Sequence, residues 1–286
     1  MKKKKQIDCF LPYSTAAMMQ SLAAQLYESG VVKNIYTLAA DVPPTEALPQ
    51  YTHHLQAGSL LSLATMRLIA TTATADYALF YLKQGPITLG YHALERMLQV
   101  AEETGAAMVY ADHYSVEAGK TVKHPVTAYQ LGSIRDDFDF GSVVLLKTEC
   151  LKEYAAREVA KDYQFAGWYD LRLFLSREGK LFHLNEYLYT EEEDDLRASG
   201  EKQFDYVNPR NREVQIEMEQ AATAHLSAIN ALVDTTQYAQ PDFSAETFPV
   251  EASVVIPVFN REKTVRDAVV SALSQKTDFP FNVIVV

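Results

Sequence analysis

The chain has 286 residues, 48% hydrophobic and 11% aromatic, enough apolar side chain for one large core or two modest ones. Its formal net charge of −11 opposes polyanions, which argues against nucleic acid as a partner. No run approaches the roughly 18 consecutive apolar residues of a membrane span, and the stretch after Lys2 to Lys5 is broken by Asp8 and Pro12, unlike a secretion signal.

The lysine run reads as a solvated tail or as a weak contact with an anionic membrane surface. Cys9 and Cys150 sit in or beside apolar runs without metal-ligand spacing and read as buried, reduced thiols of a cytoplasmic protein.

Ile7 to Tyr13 is an apolar run stopped by Pro12. Apolar residues at helical spacing follow (Met18, Leu22, Ala23, Leu26), then a stop at Gly30, then the strand Ile35 to Leu38. After the Pro-rich stretch 42–48 the pattern predicts a helix from a Ser59 cap to about Ala73, a strand Tyr77 to Leu82, a helix Tyr91 to Thr104 and a strand Ala107 to Tyr110. Alternating strands and helices predict an α/β fold with a mostly parallel sheet covered on both faces. Farther on come a strand Gly141 to Leu146, a helix Tyr169 to Arg177 and a strand Leu181 to Leu184, with Glu191 to Asp195 read as a solvated acidic loop.

Asn208 and Pro209 read as the cap and first turn of a packing helix, residues 208–234, with Ile216, Met218, Ala222, Leu226, Ile229 and Val233 on one stripe. Residues 235–251, with Pro241 and Pro249, read as a linker. The unit 252–286 then repeats the opening pattern: a strand stopped by Pro257, a helix, and a second strand at Asn282. Because that last strand is apolar and lacks further sheet neighbours, the unit reads as the truncated opening of a second domain.

The run Ser253-Val-Val-Ile-Pro-Val-Phe-Asn260, followed by Arg261 to Ala268 and Asn282 to Val286, resembles the start of family 2 glycosyltransferases. Residues 76 to 189 resemble the later part of the same family, through Ala75 to Phe80 with Ala93 to Met97, Val109 to Asp112, and Tyr169 to Leu173 with Gly179-Lys180 and His183. The resemblance implies a glycosyltransferase-A-like (nucleotide-diphospho-sugar transferase) fold in residues 1–207. It also implies transfer of a sugar from a nucleotide-sugar donor to a glycan or lipid-linked acceptor.

Donor-binding positions on this alignment are Pro12, Tyr13, Asp41, Lys83, Asp112, His113, Pro257 and Asn260. Trp168 and Arg172 fall on the acceptor side, where an aromatic face can stack on a sugar ring. Each has a plainer reading: strand end, cap or core packing.

The first copy departs from the family pattern. Where a metal-binding Asp-x-Asp is expected, the sequence reads Phe80-Tyr-Leu-Lys83-Gln-Gly-Pro86, without a carboxylate. Trp168 stands where the catalytic base is expected, leaving Asp170 as the nearest substitute, and Asp41 fits the nucleotide-base position only with a shift of register. These losses imply a degenerate domain with no metal of its own, a non-catalytic nucleotide-sugar or glycan-binding module of a larger glycosyltransferase; the alternative is that Lys83 substitutes a fixed positive charge for the metal. Magnesium or manganese is expected only for an intact second domain. A nucleotidyltransferase of related fold is disfavoured, because Pro12 to Ala17 contains no glycine for a phosphate loop.

Overall fold

The computed structural model describes residues 6–39, 52–117, 119–158, 161–192, 212–239, 241–242 and 248–286. Asp41, Asn208, Pro209 and the lysine run lie outside the described residues. The chain divides into two compact units, Met1–Leu232 and Val233–Val286.

In the first unit the order is β1 (Ile7–Pro12), α1 (Ala16–Glu28), β2 (Val32–Ala39), β3 (Thr52–Gln56), α2 (Leu63–Thr72), β4 (Tyr77–Tyr81), β5 (Ile87–Leu89) and α3 (Ala93–Thr104). These are followed by β6 (Met108–Glu117), β7 (Lys120–His124), β8 (Val143–Lys147), α4 (Thr148–Ala156), α5 (Gly167–Glu178), β9 (Leu181–Glu192) and α6 (Arg212–Ala228). The strands form one sheet in the order β3-β2-β1-β4-β8-β6-β9-β5, with β7 added to β6. β1, β2, β3 and β4 are mutually parallel, as are β6 and β9, while β8 runs antiparallel between β4 and β6. The carboxyl ends of β1, β2, β4, β6 and β9 therefore share one edge.

Both faces of this sheet are covered. One apolar layer joins β1, β4 and β6 to α1 and α3 through Cys9, Leu22, Leu26, Leu79, Met97 and Val109. The other joins them to α2, α4 and α5 through Phe10, Met66, Ile69, Phe80, Tyr110 and Leu171. Alternation along β1 sends Cys9 and Phe10 to opposite layers, as strand geometry requires.

Local chemistry sets the helix ends. Thr15 caps α1 by accepting from the Met18 amide, and Ser62, not Ser59, caps α2 by accepting from the Thr65 amide. Gly105 ends α3 at φ 64°.

Three expectations are corrected. β9 continues well past Leu184 to Glu192, because it pairs with β5 as well as β6, so Glu191 and Glu192 belong to a strand and not to a solvated loop. α6 ends at Ala228 and buries Ala221 and His225, while Val233 and Ile216 of the expected stripe are exposed. Strands β3, β5 and β7 and helix α4 add to the expected elements. No described helix is long and apolar enough to cross a membrane.

Asp8 is a charge inside a fully buried strand. Its carboxylate accepts from Asn34 Nδ2 at 2.8 Å and from the amides of Thr74 and Ala75 at 2.7 and 2.8 Å, so it ties β1 to β2 and to the turn before β4. Asp8→Ala leaves those donors buried and is expected to cost about 3 kcal/mol in urea unfolding.

The second unit is β10 (Ala252–Ile256), α7 (Glu262–Leu273) and β11 (Phe281–Val285), with β10 and β11 parallel. α7 buries no residue, and Val255 and Ile284, paired on one sheet face, are both exposed. Little apolar burial opposes opening here. Amides of β10 and β11 are accordingly expected to exchange at least about tenfold faster than those of β1. Equal protection in mass-spectrometric exchange would contradict this.

Candidate functional site

The loop after β4 carries Lys83 to the carboxyl edge of the sheet, and β9 brings Glu191 to the same place from the other side of β6. Glu191 is 3% exposed and accepts from Lys83 Nζ and Ser142 Oγ, with His113 Nε2 at 3.3 Å. Burial pushes its carboxyl up, but the bonds from His113, Lys83 and Ser142 together outweigh burial and hold it at about 2. It is a carboxylate at neutral pH, and it fixes the ammonium of Lys83, which is half exposed.

The surroundings of Glu191 are built to fit. The His113 ring stacks between Tyr189, with centroids 4.9 Å apart, and His124, at 4.4 Å. His124 in turn meets Asp139 at 2.7 Å. Tyr189 Oη accepts from the Ser142 amide, and burial, reinforced by Glu191, pushes its phenol up. Gly141, at φ 69°, passes directly over this stack, where a Cβ would overlap the Tyr189 hydroxyl and crowd His113 Nδ1. Among the described residues no group of three or more His, Cys, Asp or Glu side chains is arranged to hold a metal ion.

Beside Lys83 opens a cavity of about 430 Å³ lined by Ser59, Leu60, Leu61, Leu82, Lys83 and Gln84 among others. Leu60, Leu61 and Leu82 also line a narrow apolar slot, which reaches Pro12, Leu38 and Phe80 at the ends of β1, β2 and β4. This is the edge where doubly wound sheets accept ligands. Recesses of about 500 Å³ near α1 and α3 and about 770 Å³ near α4 are lined by none of the donor- or acceptor-binding positions named from the sequence.

Lys83 and His113 thus come together through Glu191, and Pro12 lies in the adjoining slot. Tyr13 donates its amide to the Leu38 carbonyl and packs on the α1 layer. Asp112, next to His113 in β6, faces the opposite layer. Fully buried, its Oδ1 accepts from the Val126 amide at 2.9 Å and lies 2.7 Å from His183 Nε2.

Asp170 is bonded to Tyr154 Oη at 2.8 Å and ion-paired with Arg157, which ties α5 to α4. Arg172 is 1% exposed, donates to the Arg135 carbonyl and stacks on Tyr169 and Phe140. Trp168 is half-buried, 6.0 Å from the Phe80 ring, with its amide on the Leu61 carbonyl. In the second unit Asn260 is exposed at φ 51°, after Pro257. Sequence reading placed Glu191 in a solvated loop and did not single out Ser142 or Tyr189; the apolar run Tyr187 to Tyr189 before the acids was the one local sign that the strand continues.

The fold is α/β, a mostly parallel sheet flanked by helices, and is glycosyltransferase-A-like as the resemblance implies. The crystal structure of S. aureus TarS 1-349 matches with a TM-score of 0.51 at 12% identity, over 81% of this chain and 67% of that one, and so shares its fold. The crystal structure of the same TarS region in complex with UDP matches with a TM-score of 0.49 at 10% identity, over 81% and 68%. The bifunctional IspDF from Campylobacter jejuni gives a TM-score of 0.37 at 9% identity, over 63% and 50%. No protein-family model and no curated protein matches the chain.

Glu191→Gln should lower stability by about 2 kcal/mol at pH 7, because it removes the buried charge that Lys83 and His113 meet. A depressed carboxyl contributes fully above its ordinary value of 4.5 and loses that contribution as pH falls toward about 2. Denaturation at a series of pH values should therefore show the gap between the two proteins closing across that window.

Proposed function

We propose that this chain serves sugar transfer from a nucleotide-sugar donor to a glycan or lipid-linked acceptor. In this reading its first unit binds the donor diphosphate through a fixed lysine cation instead of a metal. The observation that carries this is Lys83, standing at the carboxyl edge beside an open cavity and held by the buried carboxylate of Glu191. A leaving diphosphate needs its charge offset, and an ammonium aimed by a buried partner can do so without a divalent ion. Trp168, against Phe80, is the aromatic face assigned to an acceptor sugar.

A non-catalytic role for the first unit is favoured by a specific observation. Asp170, the nearest substitute for a catalytic base, is bound to Arg157 and Tyr154 and is buried. Both contacts fall on Oδ2, which commits that oxygen to holding α5 on α4. The first unit is then a nucleotide-sugar or glycan-binding module.

Calorimetry with uridine and guanosine diphosphates tests the proposal. Micromolar binding in the presence of a chelator, weakened about tenfold or more by Lys83→Ala, is expected for a charge-assisted contact. Binding that requires manganese, or no binding of either diphosphate, would refute it.

A further inference from the structure

Helix α6 packs on the first unit through Met218, Ala221 and Ala222, and two polar side chains, Glu217 and His225, fasten it on either side of that apolar contact. Along one face, at four-residue spacing, stand Glu217, Ala221 and His225. Glu217 spans the turn before α5: its carboxylate accepts from the amides of Gln164 at 3.1 Å, Phe165 at 2.7 Å and Ala166 at 3.1 Å. Three consecutive amides converging on one carboxylate form an anion-receptive nest, and here the occupant comes from the chain itself.

At the other end, His225 is 1% exposed and its Nδ1 lies 2.8 Å from Arg177 Nη1 on α5. A guanidinium can only donate, so Nδ1 must be the acceptor and the proton must sit on Nε2. Nε2 is itself buried with no hydrogen-bond partner. Docked α6 therefore requires a neutral imidazole.

We propose that α6 is a proton-released clasp: the docked helix plugs the amide nest of residues 164–166 with Glu217, and protonation of His225 against Arg177 lets it go. An imidazolium loses the Arg177 bond, since both ring nitrogens then donate, and places two like charges 2.8 Å apart, one of them on a ring that is 1% exposed. Arg177 is the charged side chain the structure sets against the ring. Glu178 and Tyr129 act on Arg177 from farther away, and the Leu173 carbonyl is the polar backbone group on the same side.

Burial and Arg177 hold the imidazole below its ordinary value of 6.5, against a smaller upward pull from the Leu173 carbonyl. The sign follows. Docking is fully supported above about pH 6.5 and is lost as the pH falls through the lower value of the docked state. Release uncovers the nest directly before α5, next to Trp168.

Hydrogen exchange of the whole chain at pH 7.5 and 5.5, corrected for intrinsic rates, tests this in a window above the carboxylate range. Protection of α6 and of amides 164–166 is expected to fall at least about tenfold at the lower pH, while β6 stays protected. His225→Gln keeps an acceptor for Arg177 without a titrating group and should abolish that fall. Glu217→Gln should loosen amides 164–166 at both pH values. Unchanged protection at pH 5.5, an equal loss in β6, or the same loss in His225→Gln would each overturn the clasp.

Discussion

A carboxylate sealed inside a protein has to be met on every side, and much of the sheet's carboxyl edge is arranged around meeting Glu191. Lys83, Ser142 and His113 reach it from three different strands or loops. None of these could be moved without leaving a desolvated charge exposed to apolar surroundings. The turn at Gly141 lies over the Tyr189 and His113 rings because a side chain there would overlap them. One buried charge thus fixes where the loop after β4 returns, how far β9 extends and which way Lys83 points. The cavity beside Lys83 inherits its only fixed cation from that arrangement among the residues that line it.

The sequence made the sheet legible because periodicity is a short-range signal. The apolar runs of β1 and β4 and the helical spacing of Met18, Leu22 and Leu26 are readable without any knowledge of partners. The losses at the expected metal and base positions were also legible, since they are statements about residue type alone. Glu191 was not, because a glutamate heading a run of acids looks solvated until β5 and β6 are seen to enclose it. Asp8 presented the same difficulty: its three partners come from residues 26 to 67 positions away. Tertiary pairing decides such residues, and local pattern carries no trace of it.

Placement also separated neighbours that sequence had grouped. Asp112 and His113 adjoin in the chain, yet strand alternation sends one toward Val126 and His183 and the other toward Glu191. Trp168, Asp170 and Arg172 share one helix, yet they face Phe80, Arg157 and Phe140 respectively. The two βαβ segments contrast in another way. Every residue of β1 is buried, whereas β10 has none buried, so one hydrogen-bonding plan serves a core in one unit and a surface in the other.

Gly167 begins α5 with its backbone pressed against that of Leu61, Ser62 and Leu63, where not even a methyl group fits. Two main chains in such contact behave mechanically as one body. The loop that lines the cavity through Leu60 and Leu61 and the helix that carries Trp168 are therefore held together by backbone contact, with no side chain between them.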